Sequence, residues 1–139
     1  MALADLAACT RIVQTTKPTV FSPSTQTSSE IDVRGYYEAL IIVNIGTMVA
    51  DGTLNVSVKS ADASGGTFDT TVATFTEQDQ AVGDPSDSVV VGRILCNGTE
   101  PFWKTVAVVA EANVAFSVTV LLIPYNTGDS DNTTMDFAV

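Results

Sequence analysis

Ile31-Asp-Val-Arg-Gly-Tyr-Tyr-Glu-Ala-Leu-Ile-Ile-Val-Asn-Ile-Gly46, followed through Asp51-Gly52 by Thr53-Leu-Asn-Val-Ser-Val-Lys-Ser60, reads as two strands and a turn. In the second strand Val56 and Val58 alternate with Asn55 and Ser57, the period-two pattern of a strand buried on one face. In the first, Tyr37, Ala39, Ile41, Val43 and Ile45 share one parity while Leu40 and Ile42 share the other. A strand that is apolar at both parities is covered on both sides, once by the domain core and once by something else. The same grammar returns in Val89-Val-Val-Gly-Arg-Ile-Leu95, in Trp103-Lys-Thr-Val-Ala-Val-Val-Ala110, and in Ala115-Phe-Ser-Val-Thr-Val-Leu-Leu-Ile123, with Asn97-Gly98 as another turn. Short strands at regular spacing, with turn signals and no helical period between them, predict an all-β antiparallel two-sheet sandwich, jelly-roll or immunoglobulin-like.

Outward from these strands the chain divides into three. Residues 1–30 read as an extended N-terminal arm: one helical turn near the start, a short edge strand from Arg11 to Thr15, breaks at Pro18 and Pro23, and a polar loop from Ser24 to Ser29. Residues 31–124 form the body, in which Thr76–Ser88 reads as an exposed acidic loop. Residues 125–139 are a polar tail with Met135 and Phe137 as docking residues. At 139 residues one domain buries about two-thirds of its unfolded surface, so no disulfide staple is needed and Cys9 and Cys96 are expected as inert thiols. No apolar run reaches membrane-spanning length, and the Asn-x-Ser/Thr tripeptides at Asn55, Asn97 and Asn132 read as chance matches.

Composition excludes several functions. Sixteen acidic residues against six basic ones give a formal charge of −10, and the basic residues are scattered, so the chain would repel a phosphate backbone and an anionic membrane alike. There is no histidine, which removes the commonest general base and zinc ligand, and Gly65-Gly66 lacks the Lys-Ser/Thr of a phosphate loop. A carboxylate pair drawn from Glu38, Glu77, Asp79, Glu100 and Glu111 is the remaining route to glycosidase chemistry. Trp103, Tyr36, Tyr37 and Tyr125 are too sparse to give a sugar platform, and Trp103 reads as core. Gly128-Asp-Ser-Asp-Asn132 alternates oxygen ligands but lacks the distal bidentate Glu of a calcium loop. The expectation is no enzyme, no metal and no cofactor.

The order of these elements resembles small virion proteins of tailed bacteriophages: a Ser/Thr-rich arm, Ile31-Asp-Val-Arg-Gly-Tyr36 before a Leu-Ile-Ile-Val strand, Asp51-Gly-Thr53, Lys59-Ser-Ala-Asp62, Val91-Gly-Arg-Ile-Leu95, Trp103-Lys-Thr-Val-Ala-Val and Phe116-Ser-Val-Thr-Val-Leu. The resemblance spans Ile31 to Ile123. It implies a β-sandwich that decorates and cements a capsid from outside, with the major capsid protein as partner. The chain would be made in the host cytoplasm and end on the virion exterior as a homo-oligomer, a trimer being favoured. The alternatives are a neck or tail component and a carbohydrate-binding module. The expected capsid or subunit contacts are Leu3, Leu6, Arg11, Lys17, Val20 and Phe21 of the arm and the outward Leu40 and Ile42. On this reading the arm carries much of the attachment, or it supplies an edge strand to its own sandwich.

Overall fold

The computed structural model describes residues 11–124. They form ten strands: β1 (Arg11–Phe21), β2 (Ser24–Thr27), β3 (Ile31–Asp32), β4 (Tyr36–Met48), β5 (Thr53–Ala61), β6 (Thr70–Thr74), β7 (Gln78–Asp79), β8 (Ser88–Leu95), β9 (Phe102–Ala110) and β10 (Val114–Pro124). One sheet has the order β1-β10-β4-β8 and the other β2-β9-β5-β6, with β3 added to β9 and β7 to β5. All pairings are antiparallel. From β4 on the long strands alternate between the sheets, and strands distant in sequence lie side by side, which is the double Greek key of a jelly roll.

This order changes what the turns do. Asp51-Gly52 and Asn97-Gly98 look like hairpin turns, yet the first carries the chain from β4 in one sheet to β5 in the other, and the second links β8 to β9 in the same way. Of the pairings along the two sheets' main paths, β5–β6 alone joins consecutive strands. The turn chemistry is as read: Asp51 and Gly98 have φ of 66° and 83°, the left-handed region open to Asp and Gly. A turn dipeptide specifies a reversal, not the sheet to which the chain returns.

The stretch before Ile31 is woven into the sandwich from Arg11 on. β1 pairs with β10 from Arg11 to Phe21, and β2 pairs with β9. The edge-strand reading of the arm therefore describes residues 11–27, and the predicted break at Pro18 is instead a register shift between Thr16 and Thr19. Proline lacks an N–H, and an edge strand with an irregular register accommodates it. The predicted loop at Ser24–Ser29 holds β2, whose polar residues fit because it is an edge. It ends on Ser28, whose N–H donates to the Thr105 carbonyl (3.0 Å) while its Oγ accepts the Thr105 N–H (3.0 Å). The acidic loop is likewise partly held: β7 lies within it, and Ser86 Oγ accepts the Met48 N–H.

Between the sheets lies the core. Ala39, Ile41, Val43 and Ile45 of β4 and Phe116, Val118, Val120 and Leu122 of β10 face Leu54, Val56 and Val58 of β5 and Trp103, Ala107 and Val109 of β9. The Trp103 indole N–H is satisfied by the Glu100 carbonyl at 3.1 Å. Cys96 is buried beside this core; Cys9 lies outside the described residues.

Candidate docking face

Because side chains alternate across a strand, the register that fills the core also fixes the outer surfaces. On the sheet β2-β9-β5-β6 the outward positions of β5 are Asn55, Ser57 and Lys59, paired with Val108, Val106 and Lys104 of β9, and β2 adds Thr25 and Thr27. That surface is mostly polar and solvated.

The other sheet is different. One row across it reads Ile12–Leu121–Leu40–Arg93 and the next Gln14–Thr119–Ile42–Val91. Val89 follows beside Asn44, and Leu95 beside Glu38. Ile12 is 66% exposed, Val91 58%, Val89 57% and Leu95 49%, while Leu40, Ile42 and Leu121 are partly exposed. Apolar side chains on three or four adjacent strands, at the parity opposite to the core, form one contiguous patch, the kind of surface that marks a contact site.

The strands of this sheet carry a small positive excess, as do β2, β9, β5 and β6, which hold Lys59 and Lys104 and no carboxylate. The strands β1, β10, β4 and β8 carry Arg11, Lys17 and Arg93 against Glu38 alone, on a chain of formal charge −10. Glu38 is itself engaged, since Arg93 Nη2 and Nε lie 2.6 and 2.7 Å from its Oε2. The carboxylates lie mainly in loops and at strand ends, where several make local bonds: Asp32 with Arg34, Asp84 with Ser86, and Glu30 with Ser64 and Gly65.

Near one end of the face the irregular register of β1 opens a groove of about 600 Å³. It is lined by Pro18 and Val20 of β1, by Asn44, Gly46, Ala115 and Ser117 of β4 and β10, and by Asp87. Val20 is 62% exposed.

The structure gathers Val20, Leu40 and Ile42 on this face and leaves Arg11 and Lys17 exposed on β1. Phe21 turns inward, its ring 4.9 Å from that of Phe116, and serves the core. Leu3 and Leu6 lie outside the described residues, as do Tyr125 and the stretch 128–132. Ile12, Val89, Val91, Leu95 and Leu121 escaped the sequence reading. Val89-Val90-Val91 and Leu121-Leu122-Ile123 carry the same both-parity signal that singled out Leu40 and Ile42.

Catalytic groupings fare differently. Glu38 pairs with Ile123 at one end of β10 and Glu111 precedes Val114 at the other, so at ~3.3 Å per residue they stand on the order of 30 Å apart, too far to share a glycosidic bond. Trp103 is fully buried and offers no platform. Among the described residues no three His, Cys, Asp or Glu side chains converge on a point.

No family model and no curated protein matches the chain. Its fold is similar to that of the infectious bursal disease virus VP2 subviral particle, with a TM-score of 0.54 at 16% identity, covering 83% of this chain and 32% of the viral one. The infectious bursal disease virus Gx strain gives 0.53 at 12% identity, covering 85% and 32%. The chain thus spans about a third of the length of these viral chains, and at such identities the likeness is one of fold. The C-terminal CBM6 of a laminarinase from Zobellia galactanivorans is more distant, at a TM-score of 0.43 and 10% identity over 81% of this chain and 98% of the module. That likeness carries no argument.

Proposed function

We propose that this chain is a structural virion protein that binds the outer surface of a bacteriophage capsid and stabilises it, acting by contact without a chemical step. The observation that carries the reading is the asymmetry of the two sheets: an apolar outer face on β1-β10-β4-β8 and a mostly polar one on the opposite sheet. The resemblance of the strand-and-turn sequence from Ile31 to Ile123 to phage virion proteins supports it, as does a fold similar to that of a viral particle's chains.

The energetics fit a cement. Full burial of an exposed Val, Leu or Ile contributes roughly 1.5–3 kcal/mol, whereas association costs about 4–15 kcal/mol in lost freedom. Five or six such side chains leave a modest affinity per copy. Repetition over a shell converts modest contacts into a large barrier to rupture, because a ligand that binds only the assembled state stabilises that state. Cationic β1 suits an acidic capsid surface.

The test is to mix the purified protein with capsids of its own phage assembled without it, and to measure co-sedimentation and the temperature of capsid rupture. Saturable binding with a raised rupture temperature supports the reading. No binding to intact capsids would overturn it.

A further inference from the structure

We infer that two copies of this chain pair antiparallel through β8, extending the four-stranded sheet into one of eight strands. The inference stands apart from the capsid reading, because it concerns the protein alone.

It rests on a difference among the sheet edges. An edge strand presents unpaired N–H and C=O groups, and proteins blunt such edges with proline, lysine, bulges or shortness. β1 carries Lys17, Pro18 and two register shifts. β2 has four residues, and β6 has five with a register shift in its pairing. β8 has no proline, lysine, bulge or shortening, and its one charged residue, Arg93, is paired with Glu38. It runs for eight residues, Ser88-Val-Val-Val-Gly-Arg-Ile-Leu95, in unbroken register with β4 from Ile45↔Ser88 to Glu38↔Leu95. In an antiparallel edge strand alternate residues direct their backbone groups away from the neighbour. Among the described residues no other strand pairs with β8.

A second copy fits this edge for three reasons. Antiparallel pairing of identical strands is two-fold by construction, so one surface serves both partners. The seam brings no uncompensated charge, since the one charged residue of β8, Arg93, is held by Glu38. Pairing also joins the exposed Val89, Val91 and Leu95 of both copies into one apolar strip across the seam. Keeping those side chains on one face while avoiding Arg93 opposite Arg93 centres the two-fold axis at Val91 or Gly92. The association is two-fold, unlike the trimer favoured from the sequence.

A seam about 26 Å long falls at the small end of specific interfaces, below roughly 1,200 Å² in total, so the pair is weak and concentration-dependent. Sedimentation equilibrium of the full chain tests it. The average mass should rise toward that of two copies over an approximately 100-fold increase in concentration ending near millimolar. Val91→Lys, at an exposed site beside the seam, should hold the protein at one copy with an unchanged circular dichroism spectrum. Ile12→Lys, at the far edge of the same face, should leave the dimer intact, and if Val91→Lys misfolds, Val89→Lys replaces it. A wild-type monomer at the highest concentration would overturn the inference. So would a dimer that survives Val91→Lys and Val89→Lys, or one lost equally in Ile12→Lys, which would indicate face-to-face packing.

Discussion

The ring of Phe75 occupies the space that a side chain at Gly92 would need: a Cβ built there lies 2.5 Å from both Cε1 and Cζ of the ring. Gly92 sits opposite Ile41, at an inward position of β8, and the ring of Phe75 fills the place of its missing side chain. Glycine weakens a strand, so its presence in the middle of β8 is explained by this close approach. Gly92→Ala should therefore destabilise the fold by about 1–3 kcal/mol through overpacking. Combining it with Phe75→Leu, which removes the rigid ring, should cost less than the sum of the two single changes. Denaturant unfolding of the four proteins measures this, and strict additivity would refute the contact.

The Ser28–Thr105 pair predicts opposite effects from two small changes. Ser28 Oγ accepts the buried Thr105 N–H, so Ser28→Ala strands that donor and should cost about 1–3 kcal/mol. The Thr105 hydroxyl is buried and makes no hydrogen bond. Thr105→Val keeps the shape, removes the unsatisfied oxygen, and should be neutral or stabilising by on the order of 1 kcal/mol. Midpoints of urea unfolding distinguish the two, and a large loss in Thr105→Val would show that the hydroxyl has a partner.

Two titrations shape the pH dependence in opposite directions. Burial, aided by the Glu38 charge, pushes the Cys96 thiol from 9.0 to about 11. Folding favours the neutral thiol, so this stabilisation is complete below pH 9 and is lost as pH rises through about 11. Cys96→Ala should flatten the alkaline limb of the stability profile, and in a Cys9→Ser background the native protein should resist a thiol reagent at pH 8. Glu30 is held below its ordinary value by the Gly65 N–H and the Ser64 hydroxyl. Its contribution is present above pH 4.5 and is lost as pH falls through the depressed value. Glu30→Gln should therefore lose that part of the acid dependence, and profiles identical to wild type at either limb would contradict the assignment for that limb.

The sandwich was legible because period-two burial is written residue by residue: Val56, Val58, Val118 and Val120 all face the core as their alternation implies. Strand order was not, since β4 pairs with β10 and β8 across long sequence gaps, and no local signal encodes a partner that distant. The edge strands were obscured for another reason. Ser24–Thr27 has no apolar face to announce it, and Pro18 reads as a terminator until the neighbouring register shift shows how an edge absorbs it. Of the docking face, Val20, Leu40 and Ile42 were named from the sequence. Ile12 joined it only once β1 was seen beside β10.

The capsid-docking account rests on which face binds, and a matched pair of variants measures that most directly. Ile42→Asp places a charge in the middle of the apolar face, and Val106→Asp places one on the outward surface of the opposite sheet. Both positions are partly exposed, so both variants should fold. Co-sedimentation with undecorated capsids should show Ile42→Asp losing at least about tenfold in affinity, equivalent to about 1.4 kcal/mol, while Val106→Asp binds like wild type. Equal binding by both variants, or loss confined to Val106→Asp, would contradict the account.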